Sequence, residues 1–365
     1  MPRVGIREVA SSAAVSMGTV SHFLNHPDRV SAEKAQRIQD AIDRLGFVRN
    51  NAGRQLRLGR SSTIAYIVPD VSNPFFATIA EGVEQRAAES GLGVFLANSK
   101  GDGAREQSYL DLFEEHGVLG MLVASQRDIE GRLAAARDRG TPSVLVGRRS
   151  ASAAQPSVSI DDVRGGLLAA THLLETGRRR IAYVGGPLSV RQIADRLQGA
   201  SDAVRRTPGA TLEVIDVESR TISGGHRVGE DLVARDPHDR PDAIFAANDL
   251  LAIGLMHTVV TGGLRVPEDI AIIGYDDIEY AENSIVPLSS IRPPHEDFGA
   301  AAVEMLVGIA DGTIEGETQL VFAPQLVARR STGAEAATDA ARGSRRLASI
   351  DPQPPESQRK YKGSP

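Results

Sequence analysis

Residues 6–24 read IREVASSAAVSMGTVSHFL, two short helical stretches separated by a tight turn. At 100° per residue the second stretch divides into two faces. Thr19, Val20, Phe23 and Leu24 fall on one half, while Met17, Gly18, Ser21 and His22 fall on the other. The first half can seal against Ile6, Val9 and Ala10 of the preceding helix. The second is small and polar enough to lie in a DNA major groove. The expectation is a helix-turn-helix whose reading face is free. Helices are expected over Ile6–Ala13, over Met17–Leu24 with Ser16 as N-cap, and over Ala32–Leu45 after Ser31 with Gly46 as terminator.

Charge is distributed in the way such a head requires. The 365-residue chain has a formal net charge of −6, yet residues 1–60 hold ten Lys/Arg against five acids and carry +5. Residues 334–365 carry +2, which leaves −13 for the body between them. A basic end on an acidic body suits a protein that meets phosphates at one end only. There is no cysteine, which rules out disulfides, thiolate chemistry and Cys-ligated zinc. No run reaches the roughly 18 apolar residues of a membrane span. The first thirty positions lack the pattern of a secretory signal. These features predict a cytoplasmic, nucleoid-associated protein with no membrane partner.

After a joint at Gly59–Ser62, short apolar runs alternate with amphipathic ones. TIAYIV (63–68), GVFLAN (93–98), VLGMLVA (118–124) and SVLVG (143–147) read as buried strands. IAYVG (181–185), LEVIDV (212–217), AIFA (243–246) and IAIIG (270–274) repeat the pattern. Helical stretches lie between them. Two rounds of strand–helix alternation predict two similar α/β lobes with parallel sheets. A ligand in such a body binds beyond the carboxyl ends of the strands. Residues 334–365 lack apolar periodicity and are expected to be disordered. No catalytic or nucleotide-binding motif is present. Gly91-Leu92-Gly93 does not extend to G-x-G-x-x-G, and Walker, H-E-x-x-H and G-x-S-x-G patterns are absent, so no enzyme, cofactor or metal site is expected. A solute-binding protein of the transport type would share the body, but it would carry an export signal and no DNA-binding head.

Seven motifs in order then resemble the LacI/GalR family of bacterial transcriptional repressors. They are REVASSAAVSMGTVSHFLN, GFVRNNAGRQLRLGRSSTIAYIVPDVSNPFF, HLLETGRRRIAYVGGP, AIFAANDLLAIG, GLRVPEDIAIIGYDD, PLSSIRPP and VARRST. The resemblance covers residues 4–332. It implies an all-α helix-turn-helix head (1–49), a hinge helix and linker (50–62) and a two-lobed, periplasmic-binding-protein-like α/β body (63–333). Lobe one is expected at about 63–160 and 291–322, lobe two at about 161–290 and 323–333. It further implies a homodimer on double-stranded operator DNA, with a small effector between the lobes. Repression or activation depends on where the operator lies.

The resemblance assigns base reading to Met17, Gly18 and His22, where relatives usually have Arg at the last position. It assigns phosphate contacts to Ser16, Thr19, Ser21 and Asn25. Leu56 matches a minor-groove wedge, and Asn50 and Arg54 complete the expected DNA-binding set. The bland alternatives are a His22 that touches only phosphate and a Leu56 packed on its own hinge. Gly53 stands where relatives have Ala, and Arg49 where they have Pro. The hinge should therefore fold reluctantly, and Gly53→Ala should tighten operator binding. Ala14 stands where the turn usually holds Gly at positive φ. Either the turn differs or the head gives up roughly 1–2 kcal/mol. The effector is expected to meet Asn73, Phe75, Arg196, Asn248 and Asp276, a set suited to a sugar or a nucleoside. Asp276 reads otherwise as a turn residue, and Asn248 as a helix cap. Arg191 and Arg220 either join Arg196 in a cationic cleft that favours an anionic group or are solvated loop residues.

Overall fold

Ser16 begins the second helix by accepting a hydrogen bond from the Thr19 N–H at 3.1 Å, which satisfies one of the donors a helix start leaves open. The three helices are α1 (Ile6–Ser12), α2 (Met17–Asn25) and α3 (Ala32–Leu45), and α3 stops at Gly46 in the left-handed conformation. Val9, Ala10, Ala13, Val20, Ile38 and Ala41 form one small buried core. The turn between α1 and α2 keeps its left-handed residue, because Ala14 lies at φ 50°. The structure, a computed structural model, describes residues 4–48, 61–314 and 318–333. It forms two compact units that divide between Ser61 and Ser62.

The second unit contains two six-stranded sheets. The first comprises β1 (Thr63–Val68), β2 (Gly93–Asn98), β3 (Met121–Val123), β4 (Ser143–Val146), β5 (Ser157–Ile160) and β11 (Gln319–Phe322), in the order β11-β5-β4-β3-β1-β2. The second comprises β6 (Arg180–Val184), β7 (Thr211–Ile215), β8 (Ala243–Ala246), β9 (Ala271–Tyr275), β10 (Ser289–Arg292) and β12 (Gln325–Val327), in the order β12-β10-β9-β8-β6-β7. The β10–β12 pair is antiparallel, and the other pairs are parallel. The parallel pairs need crossovers, and helices supply most of them. In the first lobe these are α4 (Pro74–Glu89), α5 (Gly103–Glu115) and α6 (Glu130–Asp138). In the second they are α7 (Asp162–Glu175), α8 (Arg191–Arg205), α9 (Ile222–Ala234) and α10 (Asp249–Thr261). The one-turn helix α11 (Glu279–Glu282) precedes β10, and α12 (His295–Ala310) returns to the first sheet.

The two-residue side-chain period of a strand places a core on each face of each sheet. Ile64, Tyr66 and Val68 of β1 pack with α4 and α12, while Ala65 and Ile67 pack with α5 and α6. Tyr183, Phe245 and Ile273 face α7 and α8, while Val184, Ile244 and Ile272 face α9 and α10. The chain passes between the sheets three times, after β5, after β10 and after β11. The expected change of lobe at residues 290–291 falls inside β10. Ser290, Ile291 and Arg292 all pair with β12, so that strand belongs wholly to the second sheet.

Candidate functional site

In the head, α2 buries Val20 and half-buries Phe23 and Leu24 while Met17, Gly18 and His22 stay exposed. Met17 is 48% exposed and so is free to make an apolar contact. The Ser16 and Thr19 hydroxyls lie 2.9 Å apart. Asn25 donates its side-chain N–H to the Ser21 carbonyl at 2.6 Å, one turn back along α2. The hinge residues Asn50, Arg54 and Leu56, with Arg49 and Gly53, lie outside the described residues, as does the tail from 334 onward.

In the body, loops at the carboxyl ends of both sheets wall a cavity of about 730 Å³. The first lobe supplies Asp70, Asn73, Phe75, Phe76, Asn98, Lys100, Ser125, Gln126 and Gly147 among others. The second supplies Gln192, Arg196, Glu218, Arg220, Asn248 and Asp276. Asn73 caps α4 by accepting from the Phe75 N–H at 3.0 Å, and both residues line the cavity. Asn248 caps α10 by accepting from the Leu251 N–H at 3.1 Å and donates to the Arg220 carbonyl at 3.1 Å. Capping and lining are thus combined in one side chain.

Arg196 is the buried centre of this wall. Its Nε donates to Asp162 at 2.8 Å, its Nη1 lies 3.9 Å from Asp276, and its guanidinium sits 3.5 Å above the Tyr275 ring. Burial disfavours its charge, but Asp162, Tyr275 and Asp276 outweigh that and hold it protonated. Asp276 follows β9 at φ 103°, next to Asp277 at φ 50°. Asp277 is gripped by Arg292 and Arg329, which fixes the turn. Asp249, fully buried, accepts from Ser290 at 2.7 Å and from the Ile278 N–H at 2.9 Å, and so fixes the loop from below. Asp276 is therefore both a turn residue and a wall residue. Burial pushes it up to about 7 against the pull of Arg196.

Arg191 is a correction to the expected set. It does not line the cavity; its side chain is 71% exposed and pairs with Asp195 one turn along α8. Arg220 does line the cavity, donating to the Gly186 carbonyl, and burial followed by repulsion from Arg196 lowers its basicity. The lining holds the cations Lys100, Arg196 and Arg220 and the acids Asp70, Glu218 and Asp276, with Asp162 behind. The cationic cleft expected from three arginines is thus replaced by a charge-balanced one. Asp162, Tyr275 and Gln192 were not foreseen. Asp162 sits in the first turn of α7, where an acid reads as a partner of the helix dipole. Gln192 reaches across the cavity and donates to the Gly147 carbonyl at 3.3 Å.

Residues 5–50 match the family described as bacterial regulatory proteins, lacI family, and residues 170–332 match a periplasmic binding protein-like domain. The chain is 32% identical over 331 residues to the ribose operon repressor of Bacillus subtilis (strain 168), covering 90% of this chain and 99% of that protein. A solved complex of the transcriptional regulator CelR with cellobiose is 32% identical at TM-score 0.67, covering 90% of this chain and all of that one. The lac repressor dimer bound to operator and an anti-inducer is 25% identical at TM-score 0.79, covering 91% of this chain and all of that one. With its helix-turn-helix head and two-sheet body, this chain belongs to the lacI family of bacterial regulatory proteins and is a DNA-binding transcriptional regulator.

Proposed function

We propose that the chain acts as a cytoplasmic homodimeric repressor, controlled by a neutral, polyhydroxylated effector such as an unphosphorylated sugar or a nucleoside, and performs no chemistry on it. The observation that carries the effector class is the charge balance around Arg196. Its buried guanidinium is already met by Asp162 and faced by Asp276, which leaves donors and acceptors for hydroxyls but no surplus charge for a phosphate. Phe75 and Phe76 offer an apolar wall for a ring, as in sites that combine aromatic surface with a few placed polar groups. Cellobiose in the CelR complex supports a sugar.

On DNA, Met17, Gly18 and His22 are assigned to base edges, and Ser16, Thr19, Ser21 and Asn25 to phosphates. Asn50, Arg54 and Leu56 are assigned to the hinge contact. The edge strand β2 leaves Phe95 and Leu96 half-exposed, which supports a second copy against that edge. Calorimetric titration of the full chain with a panel of unphosphorylated pentoses, hexoses and nucleosides, and with their phosphate esters, tests the effector class. Saturable heat from a neutral member, lost in Arg196→Met, is the expected result. Binding confined to phosphate esters overturns the proposal.

A further inference from the structure

α2 ends on a pair of imidazoles. His22 and His26 stand one turn apart on the same side of the helix, with ring centroids 5.6 Å apart at 53°. Both are exposed. They lie in the last turn, where the helix dipole favours positive charge, and the His26 N–H is bonded to the His22 carbonyl. α2 itself carries no other titratable side chain. The neighbouring elements bring Arg7 and Glu8 from α1, Asp28 and Arg29 from the short turn Pro27–Arg29, and Glu33, Lys34, Arg37, Asp40, Asp43 and Arg44 from α3. Their polar ends are used elsewhere where a bond is formed. Glu8 accepts from the Gly5 N–H, Arg44 donates to Ser12, and Asp40 and Asp43 accept from Gln36 and Gln39. Among the described residues no carboxylate forms an ion pair with either imidazole.

We infer that His22 and His26 form a proton-linked DNA contact, in which binding to duplex DNA draws protons onto the pair and operator affinity rises as pH falls. This rests on the assignment of the exposed half of α2 to DNA.

Imidazole changes charge between about pH 5 and 8. A duplex places a line of phosphates beside the reading helix, and opposite charge of that kind favours the protonated form of an imidazole. Protonation also changes what is offered. A neutral imidazole has one N–H donor and one acceptor, whereas the cation has two donors. A cationic His22 can therefore serve the acceptors on the guanine edge, N7 and O6, and a cationic His26 can serve a phosphate. The proton taken up by His26 adds one phosphate-neutralising charge, so the dependence of log K on log salt should steepen by about 0.9.

The test uses the full chain and two 30-base-pair duplexes, one enriched by the protein from a random-sequence pool and one of scrambled sequence. Fluorescence anisotropy is measured at pH 6.0 and 8.0 at fixed ionic strength, and then across a salt series. The wild type should bind at least about fivefold more tightly at pH 6.0, with a steeper salt slope. His22→Gln/His26→Gln should vary less than about twofold between the two pH values, with circular dichroism reporting an intact head. His26→Lys, permanently cationic, should recover at pH 8.0 part of the wild-type affinity seen at pH 6.0. A wild type and double variant with the same pH profile overturn the inference while leaving the DNA assignment intact. Failure of the wild type to bind either duplex at low salt removes the DNA assignment and the inference together.

Discussion

Ala14 sets the stability of the head through one dihedral angle. At φ 50° its Cβ crowds the following carbonyl, at a cost of roughly 1–2 kcal/mol that glycine avoids. Glycine gives back part of this through the greater freedom of the unfolded chain. Ala14→Gly should therefore stabilise the head by about 0.5–1 kcal/mol. Amide hydrogen exchange within α1–α3 reads this, and slower exchange is expected. Asp276 gives the body a dependence on pH. It sits near 7 when folded, mainly because it is buried, whereas a free aspartate titrates near 3.9. Between those values the folded state holds a proton that the unfolded chain releases. Stability from this residue is complete below about 4 and falls as pH rises through 7. Asp249 and Asp162 are raised in the same direction, so the comparison must be made against a variant of Asp276 alone. Urea unfolding of Asp276→Asn should show a gain over the wild type at pH 8 that shrinks by about 2–4 kcal/mol at pH 5. Parallel pH profiles would remove the burial argument. The sequence placed Asp276 at the end of a buried strand, because IAIIG is apolar and Tyr-Asp-Asp follows it. It misjudged Arg191, because its partner Asp195 one turn on can only be seen to take the charge once α8 is built.

At the scale of elements, helix pairs in the second lobe touch backbone to backbone. A Cβ on Gly166 of α7 would lie 1.9 Å from the Arg196 carbonyl, and one on Gly199 of α8 would lie 1.9 Å from the Val163 carbonyl. This closeness brings Arg196 within reach of Asp162 across the two helices. Gly199→Ala gains helix propensity of about 1 kcal/mol but must push the helices apart, and overpacking of this kind costs about 1–3 kcal/mol. The overlap is with backbone, which cannot rotate away, so net destabilisation is expected together with loss of effector binding. A raised melting temperature would contradict the close packing. Elements with a strong apolar period were legible in sequence. β1, β2 and β8 span the expected residues, and α1–α3 end within a residue of them. The missed elements lacked that signal. β5 reads SVSI, with Ser157 and Ser159 buried as polar residues, and β11 and β12 are short edge strands with exposed positions. α12 is the exception, since Phe298, Ala302, Val303 and Leu306 do recur at helical spacing.

At the scale of the whole molecule, an effector can alter DNA affinity only to the extent that it binds two arrangements of the body unequally. Three crossings of the chain and the Gln192–Gly147 hydrogen bond join the two sheets. The central claim is more basic, that the amino-terminal helices make this chain a DNA-binding protein. Its most direct test is the affinity of the full chain, and of a chain lacking residues 1–61, for the duplex that the full chain enriches from a random pool. The account predicts a site with two-fold symmetry and a loss of at least about 100-fold on truncation, as expected when the phosphate-contacting head is removed. Equal affinity of the two chains, or no enrichment by the intact one at low salt, would contradict it.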